Sequence, residues 1–177
     1  MTKAMFHVKH LYKTFKMKEI TFIEQDCRVG FMRRNDTRAC LLKVLKRLGC
    51  VSSGVTYIFC SDQYLLKVNR EYLNHDTFTD VITFDYTLPG DAFPIGLSEK
   101  SGKTASKYRP VSGDIYISVE RIKENARKFQ VRNIDELNRV MIHGLLHLAG
   151  YKDKTPQEEK AIHEKEDEML AACFPKK

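Results

Sequence analysis

The chain contains no tryptophan, and no apolar run approaches the roughly 18–20 residues needed to cross a bilayer. A membrane-spanning helix is therefore not expected. Glycine (9 residues) and proline (5 residues) are too sparse for a collagen-like or low-complexity chain. There is no C-x-x-C pair. The five cysteines, Cys27, Cys40, Cys50, Cys60 and Cys173, are odd in number and spaced neither as a zinc ribbon nor as a disulfide framework. Cys40, Cys50 and Cys60 lie in apolar surroundings and read as buried reduced thiols, which makes the cytoplasm the expected location. The first 18 residues lack a continuous apolar stretch, so a secretory signal is not expected there.

What is present is an ordinary globular composition, 42% hydrophobic and 30% charged, at a length of 177 residues that suits one domain with its own core. We expect residues 1–16 to form a basic, flexible arm and residues 17–177 to form the domain. Lys and Arg number 30 against 23 Asp and Glu, a net charge of +7. That excess favours polyanionic partners, nucleic acid among them, because each neutralised phosphate releases counterions.

Lys18 to Gln25 alternates with Ile20 and Phe22 on one side and predicts a strand. Asn35-Asp36 can cap a helix carrying Ala39, Leu41, Leu42, Leu45 and Leu48 at helical spacing, stopped by Gly49. Val55 to Cys60 predicts a strand, Ser61 the cap of a short helix to about Tyr72, and Asp80–Tyr86 and Asp114–Ser118 two further strands. The intervening segment 87–111 is a long polar loop. Helices follow over about 119–129, 134–149 and 156–172, with Asn133-x-x-Glu136 and Thr155-Pro156-x-Glu158 as capping boxes. The fold class is α+β: one domain, a small, mostly four-stranded sheet packed with helices, and a metal site on a C-terminal helix.

That metal site rests on His143-Gly-Leu-Leu-His147-Leu-Ala-Gly150-Tyr-Lys-Asp153. Histidines four apart lie one above the other on a helix and can present two imidazoles to one ion. The apolar stripe of Leu137, Val140, Met141, Leu145 and Leu148 borders them, so both are partly desolvated. Gly150 stops the helix, and Asp153 lies where the chain folds back and can offer a third ligand. Three protein ligands leave a tetrahedral zinc one open position, the catalytic arrangement. His163 sits inside the next helix and reads as a solvated residue, with an alternative or fourth ligand as its other role. The zinc-protease signature H-E-x-x-H has a glutamate where this chain has Gly144, so a protease of that kind lacks its general base.

Two further motifs carry less. Ser101-Gly102-Lys103-Thr104 resembles the end of a phosphate-binding loop, but Leu97 stands where the first glycine belongs. Tyr72, Phe84, Tyr86 and Tyr108 offer rings to bases, although rings near strands more often serve a sheet face.

The His-Gly-x-x-His-Leu-x-Gly-Tyr run, Asn69-Arg-Glu-Tyr72, Asp76-x-x-Thr79-Asp80-Val-Ile-Thr-Phe84 and Gly113-Asp-Ile-Tyr-Ile-Ser118 together resemble the YbeY family. Those proteins are single-domain, metal-dependent endoribonucleases of ribosomal RNA maturation. The resemblance implies a single-strand-specific endoribonuclease in the cytoplasm, acting on precursor rRNA, especially at the small-subunit rRNA 3′ end, and in ribosome quality control. It implies one zinc or other divalent ion on His143, His147 and Asp153, and ribosomal or small-subunit proteins as partners. The chain departs from the family pattern twice. Asp153 stands where the family has a third histidine, and Leu73 where it has an arginine. Arg70 is the candidate for the missing positive charge. Two other readings stand beside this one: a metal-dependent protease or amidase, and a non-catalytic assembly factor stabilised by zinc.

Overall fold

The computed structural model describes residues 20–87 and 108–174. Four strands, β1 (Ile20–Glu24), β2 (Cys50–Cys60), β3 (Val81–Asp85) and β4 (Arg109–Ser118), form one sheet in the order β1-β2-β4-β3. β1 and β4 run parallel to β2, and β3 runs antiparallel to β4. Five helices surround the sheet: α1 (Arg34–Arg47), α2 (Asp62–Val68), α3 (Val119–Lys128), α4 (Asn133–Leu148) and α5 (Pro156–Cys173). A π-helical turn, Asn69–Leu73, prolongs α2. The α+β architecture with a four-stranded sheet is the one expected. The predicted boundary at residue 17 and the Ser101–Thr104 segment lie outside the described residues.

Side-chain alternation divides the sheet into two faces. Ile20 and Phe22 of β1, Val55, Tyr57 and Phe59 of β2 and Val111, Ile115 and Ile117 of β4 enter the main core with α1, α4 and α5. The opposite face carries a smaller cluster of Cys60, Leu65, Val68 and Ile82 beneath α2. α4 is the central helix, with Leu137, Met141, Leu145 and Leu148 of its stripe fully buried. Burial of each such side chain stabilises the fold by about 1.5–3 kcal/mol. Tyr57, also fully buried, donates its hydroxyl to Met141 O at 2.9 Å and pins the middle of the helix to β2.

Several local expectations change. β2 begins at Cys50, five residues before the predicted strand, and β4 at Arg109 inside the predicted loop. Cys50–Ser52 and Arg109–Val111 pair with each other in advance of the rest of the sheet. Pro110 is tolerated there because β3 starts its pairing only at Gly113, leaving no partner on that side among the described residues. α1 starts at Arg34 with Arg33 as its cap, so Asn35 and Asp36 lie inside the first turn. α4 likewise takes Arg132 as its cap, without a side-chain hydrogen bond, and the Asn133–Glu136 capping box is not formed. Glu136 is instead buried, and burial raises its carboxyl above the ordinary value. The Thr155–Glu158 box does form, with Pro156 at the first helical position. Ser61 and Ser118 cap α2 and α3.

Candidate metal centre

The two histidines reach the same point by helix geometry alone. On consecutive turns of α4, their rings meet edge to face, centroids 4.5 Å apart, and both are partly buried. α4 then ends in a Schellman turn: Gly150 has φ +95°, its N–H reaches His147 O at 2.9 Å and that of Tyr151 reaches Leu146 O at 3.0 Å. Gly150 is thus the helix stop the sequence predicted. The turn also faces the Tyr151 carbonyl back toward His147, which donates Nδ1–H to it at 3.1 Å. Arg109 holds the same helix end by donating to Leu148 O at 3.0 Å.

His143 is oriented from another element. Its Nδ1 lies 2.6 Å from Glu166 Oε1 on α5. With both Nδ1 atoms engaged as donors, the two Nε2 atoms face one another at 2.8 Å. Their lone pairs tolerate that approach only with a cation between them, a proton or a metal ion. Asp153 Oδ2 completes the group, 3.5 Å from His147 Nε2 and 3.9 Å from His143 Nε2. One ligand atom from each of the three residues lies within 4.8 Å of the others, so the group can hold a metal ion. Ligands about 2.05 Å from a tetrahedral zinc are about 3.3 Å apart. The histidine nitrogens need to open, and the Asp153 oxygen to close on His143, by about half an ångström each to reach that spacing, while the oxygen already lies near it from His147. Two imidazoles and a carboxylate also suit zinc chemically and leave room for harder divalent ions.

The electrostatics follow from the same contacts. Burial pulls the His143 imidazole down, but the Glu166 hydrogen bond and charge, with Asp153 and Asp80, outweigh it and leave the group above its ordinary value. His147 lies below, through burial and then the neighbouring His143 charge. Burial alone raises Glu166, yet its bonds to His143 and His163 hold it below the usual carboxylate range.

Sequence reading did not find Glu166. It is almost wholly buried and receives His143 on one oxygen and Arg139 and His163, each at 3.2 Å, on the other. The available signal was its place in the buried stripe Ile162–Glu166–Met169–Cys173, where a carboxylate is out of keeping. His163 is not part of the ligand group; its side chain is largely exposed and touches Glu166 from the helix surface. Arg70, the candidate for phosphate neutralisation, is ion-paired with Asp76 at 2.5 Å and exposed. Gly144 has a structural reason. A Cβ there meets Ile115 Cγ2 at 2.7 Å and Thr83 Oγ1 at 3.3 Å, so α4 lies on β3 and β4 only because the position has no side chain. The place of the protease glutamate is filled by the sheet.

Comparison with known proteins identifies the family to which the chain is similar. A sequence model of the family described as Endoribonuclease YbeY matches residues 19–173. A protein named Endoribonuclease YbeY from Flavobacterium psychrophilum is 51% identical over 116 residues, spanning 66% of this chain and 69% of its own. Another of that name, from Cytophaga hutchinsonii, is 40% identical over 88% of this chain and 96% of its own. The solution structure of TM1509 from Thermotoga maritima superimposes with a TM-score of 0.56 at 25% identity, covering 88% of this chain and 89% of that one.

Proposed function

The chain belongs to the YbeY endoribonuclease family, and from that premise we propose that it is a zinc-dependent endoribonuclease that cleaves single-stranded precursor ribosomal RNA. The carrying observation is the convergence of His143, His147 and Asp153 within 4.8 Å, on a helix end whose Nδ1 partners are already in place. A divalent ion bound there supplies positive charge to polarise a phosphodiester oxygen. The chain's own residues do the rest. Glu166 and the Tyr151 carbonyl fix the ring orientations, so that both Nε2 atoms are left free to hold an ion. Asp153 adds a negative oxygen donor. Exposed basic residues hold the RNA backbone without reading its sequence, and Arg70 is released to a phosphate by parting from Asp76.

In this reading the substrate region is the 3′ end of small-subunit rRNA, the setting is ribosome maturation and quality control, and small-subunit proteins are partners. The family match over residues 19–173 supports a single domain. The five cysteines are all free, which supports a reducing cytoplasm. Among the described residues no helix is long and apolar enough to cross a membrane. A protease or amidase is disfavoured because the sheet occupies the side of Gly144 where a base belongs.

The test is cleavage of a labelled single-stranded RNA by purified protein, beside casein, with and without chelator and beside His147→Ala. We expect RNA cleavage that disappears with the chelator and in the variant, and intact casein. RNA cleavage that survives both treatments contradicts the metal site. Zinc-dependent thermal stability without any cleavage points to the assembly-factor reading.

A further inference from the structure

The face of the sheet away from α4 carries a line of rings. Tyr64 and Tyr116 stack with centroids 6.5 Å apart, Tyr116 meets Phe84 edge-on at 5.7 Å, and Phe84 meets Tyr72 edge-on at 5.6 Å. The inner end rests on the cluster of Cys60, Leu65, Val68 and Ile82. The outer end is open: Tyr72 is 44% exposed, and beside it Leu73 is 43% exposed. The Tyr72 ring is therefore positioned by Phe84 while much of its surface meets water.

This line lies back to back with the metal-ligand helix. Thr83 and Phe84 are neighbours on β3 and point to opposite faces. Thr83 meets Gly144, whereas Phe84 meets Tyr72. At the same level, a Cβ on Gly113 would strike both the Phe84 carbonyl and Leu148, the residue after His147. Among the described residues β3 pairs only with β4, so the sheet ends there. A strand of nucleic acid passing over β3 can meet α4 on one side and Tyr72 on the other. Lys67 and Arg70 are exposed on the same helical segment as Tyr72. The Arg70–Asp76 pair is itself exposed, and such pairs exchange readily. Rings interleaved with cations are the chemistry that binds single strands: bases stack while the backbone is neutralised.

We propose that this aromatic line, ending at Tyr72, is a stacking platform that holds one base of a single-stranded RNA across β3 from the metal centre. It rests on the endoribonuclease reading and adds a reason for strand selectivity. Bases within a duplex already stack on each other and offer the ring no free face, so the platform favours unpaired RNA.

The absence of native tryptophan makes Tyr72→Trp a single-tryptophan reporter. Its emission is titrated with single-stranded oligoadenylate and with a duplex RNA of equal length. Binding of wild type, Tyr72→Ala and Tyr72→Phe is measured alongside by anisotropy of the labelled oligoadenylate, with bound metal determined for each. We expect quenching by the single strand and not by the duplex. Loss of one stacked base should weaken Tyr72→Ala binding about ten- to a hundredfold, with Tyr72→Phe and every metal content unchanged. Unaltered Tyr72→Ala affinity, or no quenching at saturating oligoadenylate, overturns the platform while leaving the endoribonuclease reading intact. Failure of the wild type to bind or cleave any RNA overturns both.

Discussion

Gly144→Ala tests whether the glycine between the histidines is there to let the helix touch the sheet. The added Cβ stands 2.7 Å from Ile115 Cγ2, 3.1 Å from its Cδ1 and 3.3 Å from Thr83 Oγ1. Carbon atoms in contact prefer about 3.5–4.0 Å, so something must move by about 0.8 Å. Ile115 is fully buried, and its Cγ2 is restrained by the restricted χ1 of a β-branched side chain. Its strand is paired on both sides, to Tyr57 and to Thr83. Relief therefore comes from lifting α4. Overpacking of this kind costs about 1–3 kcal/mol, offset by about 1 kcal/mol because alanine is the better helix former. A net loss of up to about 2 kcal/mol lowers the unfolding midpoint by up to about 8 °C for a chain of this size. The same displacement shifts His143 from its 2.6 Å register with Glu166 and is expected to weaken metal binding. Circular dichroism melts in metal-free buffer and competition with a chromophoric chelator measure the two effects. An unchanged midpoint together with unchanged metal affinity refutes the close-approach argument.

Three further outcomes are expected. Glu166→Gln leaves His143 with a weaker acceptor and Arg139 and His163 competing for one oxygen; metal affinity, read by chelator competition, should fall about 10- to 100-fold. Arg70→Ala should change stability by no more than about 1 kcal/mol, because its ion pair is exposed, whereas the salt slope of RNA binding falls by about 1 if Arg70 meets a phosphate. Burial, with the Asp26 and Glu24 charges, pushes the Cys27 thiol up to about 11. The reactive thiolate is therefore about one part in a thousand at pH 8 and grows tenfold per pH unit until the pH nears 11. Iodoacetamide labelling followed by mass spectrometry should rise accordingly, and fast labelling at pH 8 contradicts the burial argument.

The parts of this molecule legible in the sequence are those where side-chain period and burial agree. α4 and α5 carry clear apolar stripes, and the i, i+4 histidines with Gly150 specify the helix, its stop and two candidate ligands from local geometry. The first halves of β2 and β4 were not legible, because Ser52-Ser53-Gly54 and Arg109-Pro110 have loop composition; their pairing with each other, residues far apart in the chain, makes them strands. Capping at Asn35 and Asn133 was misread for a related reason. Packing sets where α1 and α4 begin, and each of those asparagines falls within the first turn. Glu166 was hidden inside the charged run Glu164–Glu168, although helical period places it on the buried stripe of α5 with Ile162, Met169 and Cys173. Gly144 was read correctly as a missing base, while its close approach to Ile115 and Thr83 depended on tertiary placement.

The central claim, that His143, His147 and Asp153 hold one metal ion on which RNA cleavage depends, is tested most directly by one paired titration. Metal content by mass spectrometry and cleavage of single-stranded RNA are followed together as zinc is returned to chelator-stripped protein. We expect cleavage to rise in proportion to occupancy and to reach its plateau at one ion per chain, with neither signal in His143→Ala. Cleavage that is complete before any metal binds, or one equivalent of tightly bound metal in His143→Ala, contradicts it.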